Sequence, residues 1–199
     1  MTKKQEQKER TRVRIRAAAG QAFKTHGFGG VGVDAIAKTA EATSGAFYAH
    51  FGSKAGAFDA AVEDGLQDVL DRLPIFQRDN GLEWVKAFAD YYLGREHRED
   101  IACGCAMTGL SPDVVRAQDK TRDHYGTQMN RIAERIAEGL DEQQGGDDRV
   151  ARGWALLSTL IGGLTMARAV PDEATASRIA RAAHAAALAA AGPTRDVTL

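Results

Sequence analysis

Residues 43–54 read Thr-Ser-Gly-Ala-Phe-Tyr-Ala-His-Phe-Gly-Ser-Lys. The chemistry they offer is hydrogen bonding and positive charge toward a nucleic acid. Small residues, Gly45 and Ala46, let a backbone approach base edges or phosphates closely. Tyr48 and His50 occupy flanking positions from which a hydroxyl and an imidazole can donate to phosphate oxygens. Lys54 falls in the first turn of a following helix, where its charge and the free N–H groups both favour a phosphate. Phe47 and Phe51 have the spacing of core residues.

A second chemical cluster is Cys103-Gly104-Cys105. A thiol at or just before a helix start has its thiolate favoured, which makes both cysteines candidates for redox sensing. The bland alternative is two small buried hydrophobes. A zinc site would need further ligands, and His97 and His124 have no ligand spacing with the pair. Cys105 with His124 could form a nucleophile–base pair in a small helical enzyme, but no third orienting group accompanies them. No metal or cofactor is expected. Aromatic and thioether side chains at Trp84, Phe88, Tyr91, Tyr92, Met107, Tyr125, Met129, Trp154 and Met166 suit a flat apolar ligand, or equally an ordinary core.

The elements that carry these residues all read as helix, punctuated by Gly and Pro, with no useful run of strand alternation. Residues 1–10 are polar and expected to fray. A first helix spans about 11–26 and stops at Gly27-Phe28-Gly29-Gly30. A second spans about 33–40 behind Gly32, with Asp34 in its first turn. A third spans about 44–51 behind Thr43 as N-cap. Ser53 caps a fourth that ends at Pro74. Asn80 caps a fifth, about 82–95. Ser111-Pro112-Asp113 opens a helix that runs to about Glu142. Gly145-Gly146 is a stop, and Asp147 or Asp148 a fresh cap for a helix over about 149–170. Pro171-Asp172-Glu173 opens the last one, ending near Ala191, and the tail from Gly192 is expected to be disordered.

Two short helices over 33–40 and 44–51 suggest a helix-turn-helix, with the second entering the major groove. From about Arg12 to Val62 the chain resembles the tetracycline-repressor (TetR) family of transcriptional regulators. The resemblance implies an all-α protein with a three-helix DNA-binding head at 1–54 and a larger ligand-binding and dimerisation domain at 55–199. It implies base or backbone contacts from Thr43, Ser44, Gly45 and Ala46, and phosphate contacts from Tyr48, His50 and Lys54. It implies a homodimer on palindromic operator DNA, released by a small-molecule inducer or by cysteine modification. Three positions depart from the family pattern. Glu41 stands where the turn usually has Gly, Arg16 where an apolar residue is usual, and Gly32 where Ser or Thr is usual. Ser44 and Ala46 offer little bidentate base reading, so sequence choice would lean on shape, on backbone N–H groups, or on a basic tail in the minor groove.

The charge distribution fits. The net charge is −1, yet residues 1–54 hold ten Lys and Arg against four acids, and the remainder 16 against 23. A basic head on an acidic body suits a polyanion-binding module joined to a regulatory domain. An apolar helix over about 149–170, paired with the alanine-rich last helix, suggests a four-helix interface between two subunits (about 149–191), or else a central core helix. The longest nearly apolar run, 153–167, is shorter than the ~20 residues that span a bilayer. The charged N-terminus and two cysteines only two residues apart point to a cytoplasmic protein. The third reading of the same residues is an interaction protein that keeps the fold without DNA affinity.

Overall fold

The computed structural model describes residues 2–142 and 148–195. Its helices are α1 (Lys3–Gly30), α2 (Val33–Thr39), α3 (Ser44–Phe51), α4 (Lys54–Asn80), α5 (Trp84–Leu93), α6 (Arg95–Glu99), α7 (Ala106–Val114), α8 (Asp119–Glu138), α9 (Arg149–Ala169) and α10 (Glu173–Ala191), with a 3-10 turn at Gly81–Glu83. Strand-like pairing among the described residues is limited to an isolated bridge between Leu140 and Thr194. The all-helical expectation therefore holds. The chain forms two compact units: residues 1–65 with 101–125, and 66–100 with 126–199.

In the first unit, α1 starts far earlier than its composition suggests. Thr2 Oγ1 accepts from the Gln5 N–H at 3.3 Å, and Gln5 Oε1 accepts from the Thr2 N–H at 2.8 Å. This reciprocal capping box satisfies the first donors of the helix, so residues 3–10 are helical rather than frayed. At the other end Gly27 adopts φ 73 and breaks the helix. The Phe28 N–H is taken by Asp113 Oδ2 at 2.7 Å. Asp113 thus caps a break in α1 and does not open a helix. Ser111 and Pro112 lie inside α7, because the Ser111 hydroxyl bonds back to the Met107 carbonyl one turn earlier. The single helix expected from 111 to 142 is consequently split at 114 and 119.

The core of this unit is what the helical spacing implies. Ile15, Ala19, Phe23, Ile36 and Phe47 are wholly buried, and Phe58 of α4 joins Phe23 and Phe28 in an aromatic cluster with centroids 5.3–5.8 Å apart. Burying such side chains contributes about 2 kcal/mol each before entropy is counted. Gly65 admits no Cβ, which would stand 2.1 Å from the Ala106 Cβ, so α4 and α7 meet at backbone distance there.

In the second unit α4 does not stop at Pro74. Leu66, Leu70, Leu73 and Gln77 keep one face buried through the proline. That burial outweighs the roughly 3 kcal/mol a helical proline costs. Asn80 does not cap α5; its amide turns back to the Phe76 carbonyl at 2.9 Å, and the 3-10 turn intervenes. Asp148 and Asp172 do cap α9 and α10, accepting from the N–H groups of Ala151 (3.0 Å) and Thr175 (2.7 Å). The expected stop at Gly145-Gly146 and the cap at Asp147 lie outside the described residues. Residues 192–195 are ordered, against expectation. Arg152 donates to the carbonyls of Asp141 (2.7 Å), Ala191 (2.8 Å) and Pro193 (3.0 Å), and the Arg195 N–H to Gly139 (3.1 Å).

By length and composition α9 is long and apolar enough to cross a membrane. One face of it is packed against the unit's core and the other is left exposed. Leu156, Leu157, Leu160 and Leu164 are buried, and Gly163 meets α10 so closely that a Cβ would lie 2.3 Å from that of Ala183.

Candidate nucleic-acid interface

The helix-turn-helix is built by local chemistry. Thr43 Oγ1 accepts from the Ala46 N–H at 3.1 Å and fixes the start of α3. Gly52, at φ 70, sends its N–H to the Tyr48 carbonyl at 2.9 Å and ends it, a conformation that favours glycine. Ser53 Oγ then accepts from the Gly56 N–H at 3.0 Å and starts α4. Gly56 is required: a Cβ there would stand 2.3 Å from the Phe51 carbonyl oxygen.

Phe47 anchors the helix from below, with Phe51 packed 5.7 Å from it. Thr43, Gly45 and Tyr48 are exposed; Ser44, Ala46, His50 and Lys54 are half-buried. Tyr48 packs its ring edge-on to Phe47 (5.7 Å, 82°) yet stays 52% exposed, so its ring is a brace and its surface remains available. Lys54 Nζ lies over the Phe28 ring, 4.6 Å from its centroid, which holds the ammonium at the α4 start. Such a contact is worth about 0.5–1 kcal/mol at an exposed site. Ser44 is less free than its sequence position suggests. Its hydroxyl donates to Asp34 Oδ1 at 2.5 Å, clamping α3 to α2.

Two of the three departures from the family pattern are met by a partner brought near by folding. Glu41 adopts φ 49, so the turn keeps the left-handed geometry without its glycine. Its carboxylate accepts from Arg14 at 3.0 Å and is thereby partly neutralised. Arg16 pairs with Asp64 of α4 and stands 3.9 Å from Glu63, so a cation takes an apolar position by borrowing acids from the next helix. Gly32 is the N-cap of α2 with no side-chain bond. Arg14, Asp34, Asp64 and Phe28 are contributors that sequence reasoning missed. No local signal marks them, because each acts on a partner at least ten residues away.

Cys103 is exposed and its Sγ lies 3.7 Å from the Gln21 amide nitrogen of α1. Nearby, Lys24 Nζ donates to the Gly104 carbonyl at 3.1 Å. Cys105 is the N-cap of α7 and buried. His124 is half-buried, and its Nε2 makes no hydrogen bond. Among the described residues no three His, Cys, Asp or Glu gather as a metal-holding group.

The nine residues proposed to line a pocket divide between the units, Met107 and Tyr125 in the first and seven in the second. Met107 is buried; burial pushes the Tyr125 phenol up, and its hydroxyl lies 2.6 Å from Ser111 Oγ. In the second unit, Phe88 and Tyr92 stand 5.7 Å apart. Phe76, which sequence reasoning left out, meets Phe88 (5.4 Å) and Tyr91 (5.5 Å), and Tyr91 stacks on His97 at 5.0 Å. Trp84 is buried with its N–H bonded to the Gly139 carbonyl at 2.9 Å. Met129 is buried, Trp154 half-buried, and Met166 is 59% exposed on α9.

Residues 15–61 match the family model described as bacterial regulatory proteins, tetR family. Over 84 residues the chain is 32% identical to the HTH-type transcriptional repressor SCO4008 of Streptomyces coelicolor, a match covering 42% of this chain and 43% of that protein. The fold matches a TetR-family regulator from Cytophaga hutchinsonii (TM-score 0.75, 14% identity, 97% and 98% of the two chains covered). It also matches SmeT, repressor of a Stenotrophomonas maltophilia multidrug efflux pump, in complex with triclosan (TM-score 0.63, 21% identity, 95% and 94% covered). The head, residues 15–61, is thus a tetR-family head, and the all-helical fold of the chain is one that solved TetR-family regulators share.

Proposed function

We propose that the chain is a cytoplasmic, homodimeric transcriptional repressor that binds palindromic operator DNA through residues 1–54 and receives its releasing signal through residues 55–199. The observation that carries this reading is α3 itself: capped by Thr43, anchored by Phe47, and outward-facing at Thr43, Gly45 and Tyr48. Thr43, Ser44, Gly45 and Ala46 approach base edges and backbone. Tyr48, His50 and Lys54 hold phosphates. One short helix reads few bases, so specificity comes from two half-sites read by a dimer. The S. coelicolor relative is named a repressor, which supports the direction of regulation. The protein acts by binding and not by catalysis. The test is selection from a random duplex pool with the purified protein. An enriched inverted repeat is expected; no enrichment, or a single asymmetric site, contradicts the reading.

The signal is a small apolar or aromatic molecule held against the Phe88, Tyr91 and Tyr92 row; the fold's occurrence in a SmeT–triclosan complex supports that class. A ligand releases DNA only by preferring the released conformation. A second reading, cysteine modification, is favoured by one observation: the exposed Cys103 sulfur touches Gln21 of α1, the helix on which the head is built. Titrating operator DNA onto reduced and thiol-alkylated protein separates them. Loss of binding on alkylation, abolished by Cys103→Ser, selects the cysteine; unchanged binding selects the reversible ligand.

A further inference from the structure

The capped start of α1 fixes its basic side chains in place. Lys4, Lys8 and Arg12 fall at i, i+4 and i+8, one stripe along the helix. Further along, Arg14 and Arg16 are committed to Glu41 and to Asp64, so they hold the head together. Lys8 and Arg12 face differently. With Gln5 and Glu9 they line a cleft of about 570 Å³ completed by Ala49 and His50 of α3. Glu9 accepts from Arg12 at 3.4 Å in an exposed pair, and Lys8 has no ion-pair partner among the described residues. An exposed pair of that kind is weak and readily exchanged for a stronger anion.

We propose that this cleft seats one strand of the DNA backbone, with phosphates contacted by Lys8 and Arg12 from α1 and by His50 from α3. The inference rests on the DNA-binding reading of α3 and deepens it. A basic tail in the minor groove is no longer the way these charges act. A helix about 10 Å wide does not enter a groove about 6 Å wide. Contacts of this kind carry no base information; they fix the register of α3 on the duplex. They also supply what Ser44 and Ala46 lack, since affinity can come from phosphates while the few base contacts sort sequences.

The experiment measures binding of the selected duplex by fluorescence anisotropy across a salt series, for the parent and for Lys8→Ala, Arg12→Ala and Lys86→Ala, with helicity checked by circular dichroism. Lys8→Ala and Arg12→Ala, each removing one phosphate contact from both subunits of the dimer, are each expected to reduce the slope of log affinity against log salt by about 1.8. The order of preference among operator variants should stay the same. Lys86→Ala, an equal loss of charge on α5, should leave the slope unchanged. An unchanged slope in Lys8→Ala and Arg12→Ala, with Lys54→Ala still lowering it, overturns the cleft and leaves the α3 reading intact. A parent with no salt-sensitive binding overturns both.

Discussion

Arg14 of α1 and Glu41 of the turn between α2 and α3 are joined twice. The Arg14 guanidinium donates to the Glu41 carboxylate at 3.0 Å and to the Glu41 carbonyl at 3.4 Å. The residue so held is the one described non-glycine residue with positive φ. A left-handed conformation costs an L-residue roughly 1–2 kcal/mol, and an exposed ion pair returns about 0–1 kcal/mol. The pair therefore holds the turn without fully offsetting its strain.

Glu41→Gly should accordingly leave the unfolding free energy within about 1 kcal/mol of the parent, since relief of strain is balanced by the lost pair and by the looser unfolded chain. Glu41→Val, with a branched side chain at positive φ, should be clearly less stable. Urea unfolding of the two variants checks this. Glu41→Gly should also bind DNA more tightly, because an acid beside the reading helix is gone. A large stability loss in the glycine variant would contradict the assigned geometry.

Gly139 is a packing requirement. A Cβ there would stand 2.6 Å from Gln77 Nε2 and 2.9 Å from the Trp84 ring, whose N–H already bonds the Gly139 carbonyl. Gly139→Ala should cost about 1–3 kcal/mol, the usual range for overpacking. Thermal melts would show it. An unchanged melting temperature would mean that Trp84 and Gln77 are not held where they stand.

Asp172 links stability to pH. The hydrogen bonds from Thr175, side chain and backbone, hold its carboxyl below the usual carboxylate range. A depressed folded value means its stabilisation is present above the unfolded value, near pH 4, and is lost as pH falls through the folded one. Asp172→Asn should therefore melt below the parent at pH 7, with the gap closing under strong acid. A gap that widens in acid would reverse the assignment.

The exposed side of α9 tests the proposed dimer. Met166 is 59% exposed and nothing stands within 4 Å of where a Gly162 Cβ would be, so both positions tolerate substitution within one chain. Met166→Arg should give a folded monomer in sedimentation velocity where the parent is a dimer. A variant that stays dimeric removes this face from the interface.

Legibility in the sequence followed the range of the interactions. α2, α3, α9 and α10 were readable because Gly32, Thr43, Asp148 and Asp172 cap them locally. The fourth helix runs on because Pro74 is a local stop signal overruled by burial of Leu73 before it and Gln77 beyond it. Ser111-Pro112-Asp113 was misread because Asp113 caps Phe28, a partner 85 residues away. In the head the same division holds. The residue types of α3 were visible, whereas the clamps on Ser44, Glu41 and Lys54 come from α2, α1 and Phe28, which only folding brings near.

On the proposed reading α3 and the start of α4 bind DNA. The most direct measurement is the salt dependence of binding to duplex DNA from just upstream of the protein's own gene, for the parent, Tyr48→Phe and Lys54→Ala. Salt-sensitive binding is expected, weakened across all sequences in both variants, with the slope lowered by about 1.8 on losing Lys54 from both subunits. Binding that ignores salt, or a slope untouched by Lys54→Ala, would contradict it.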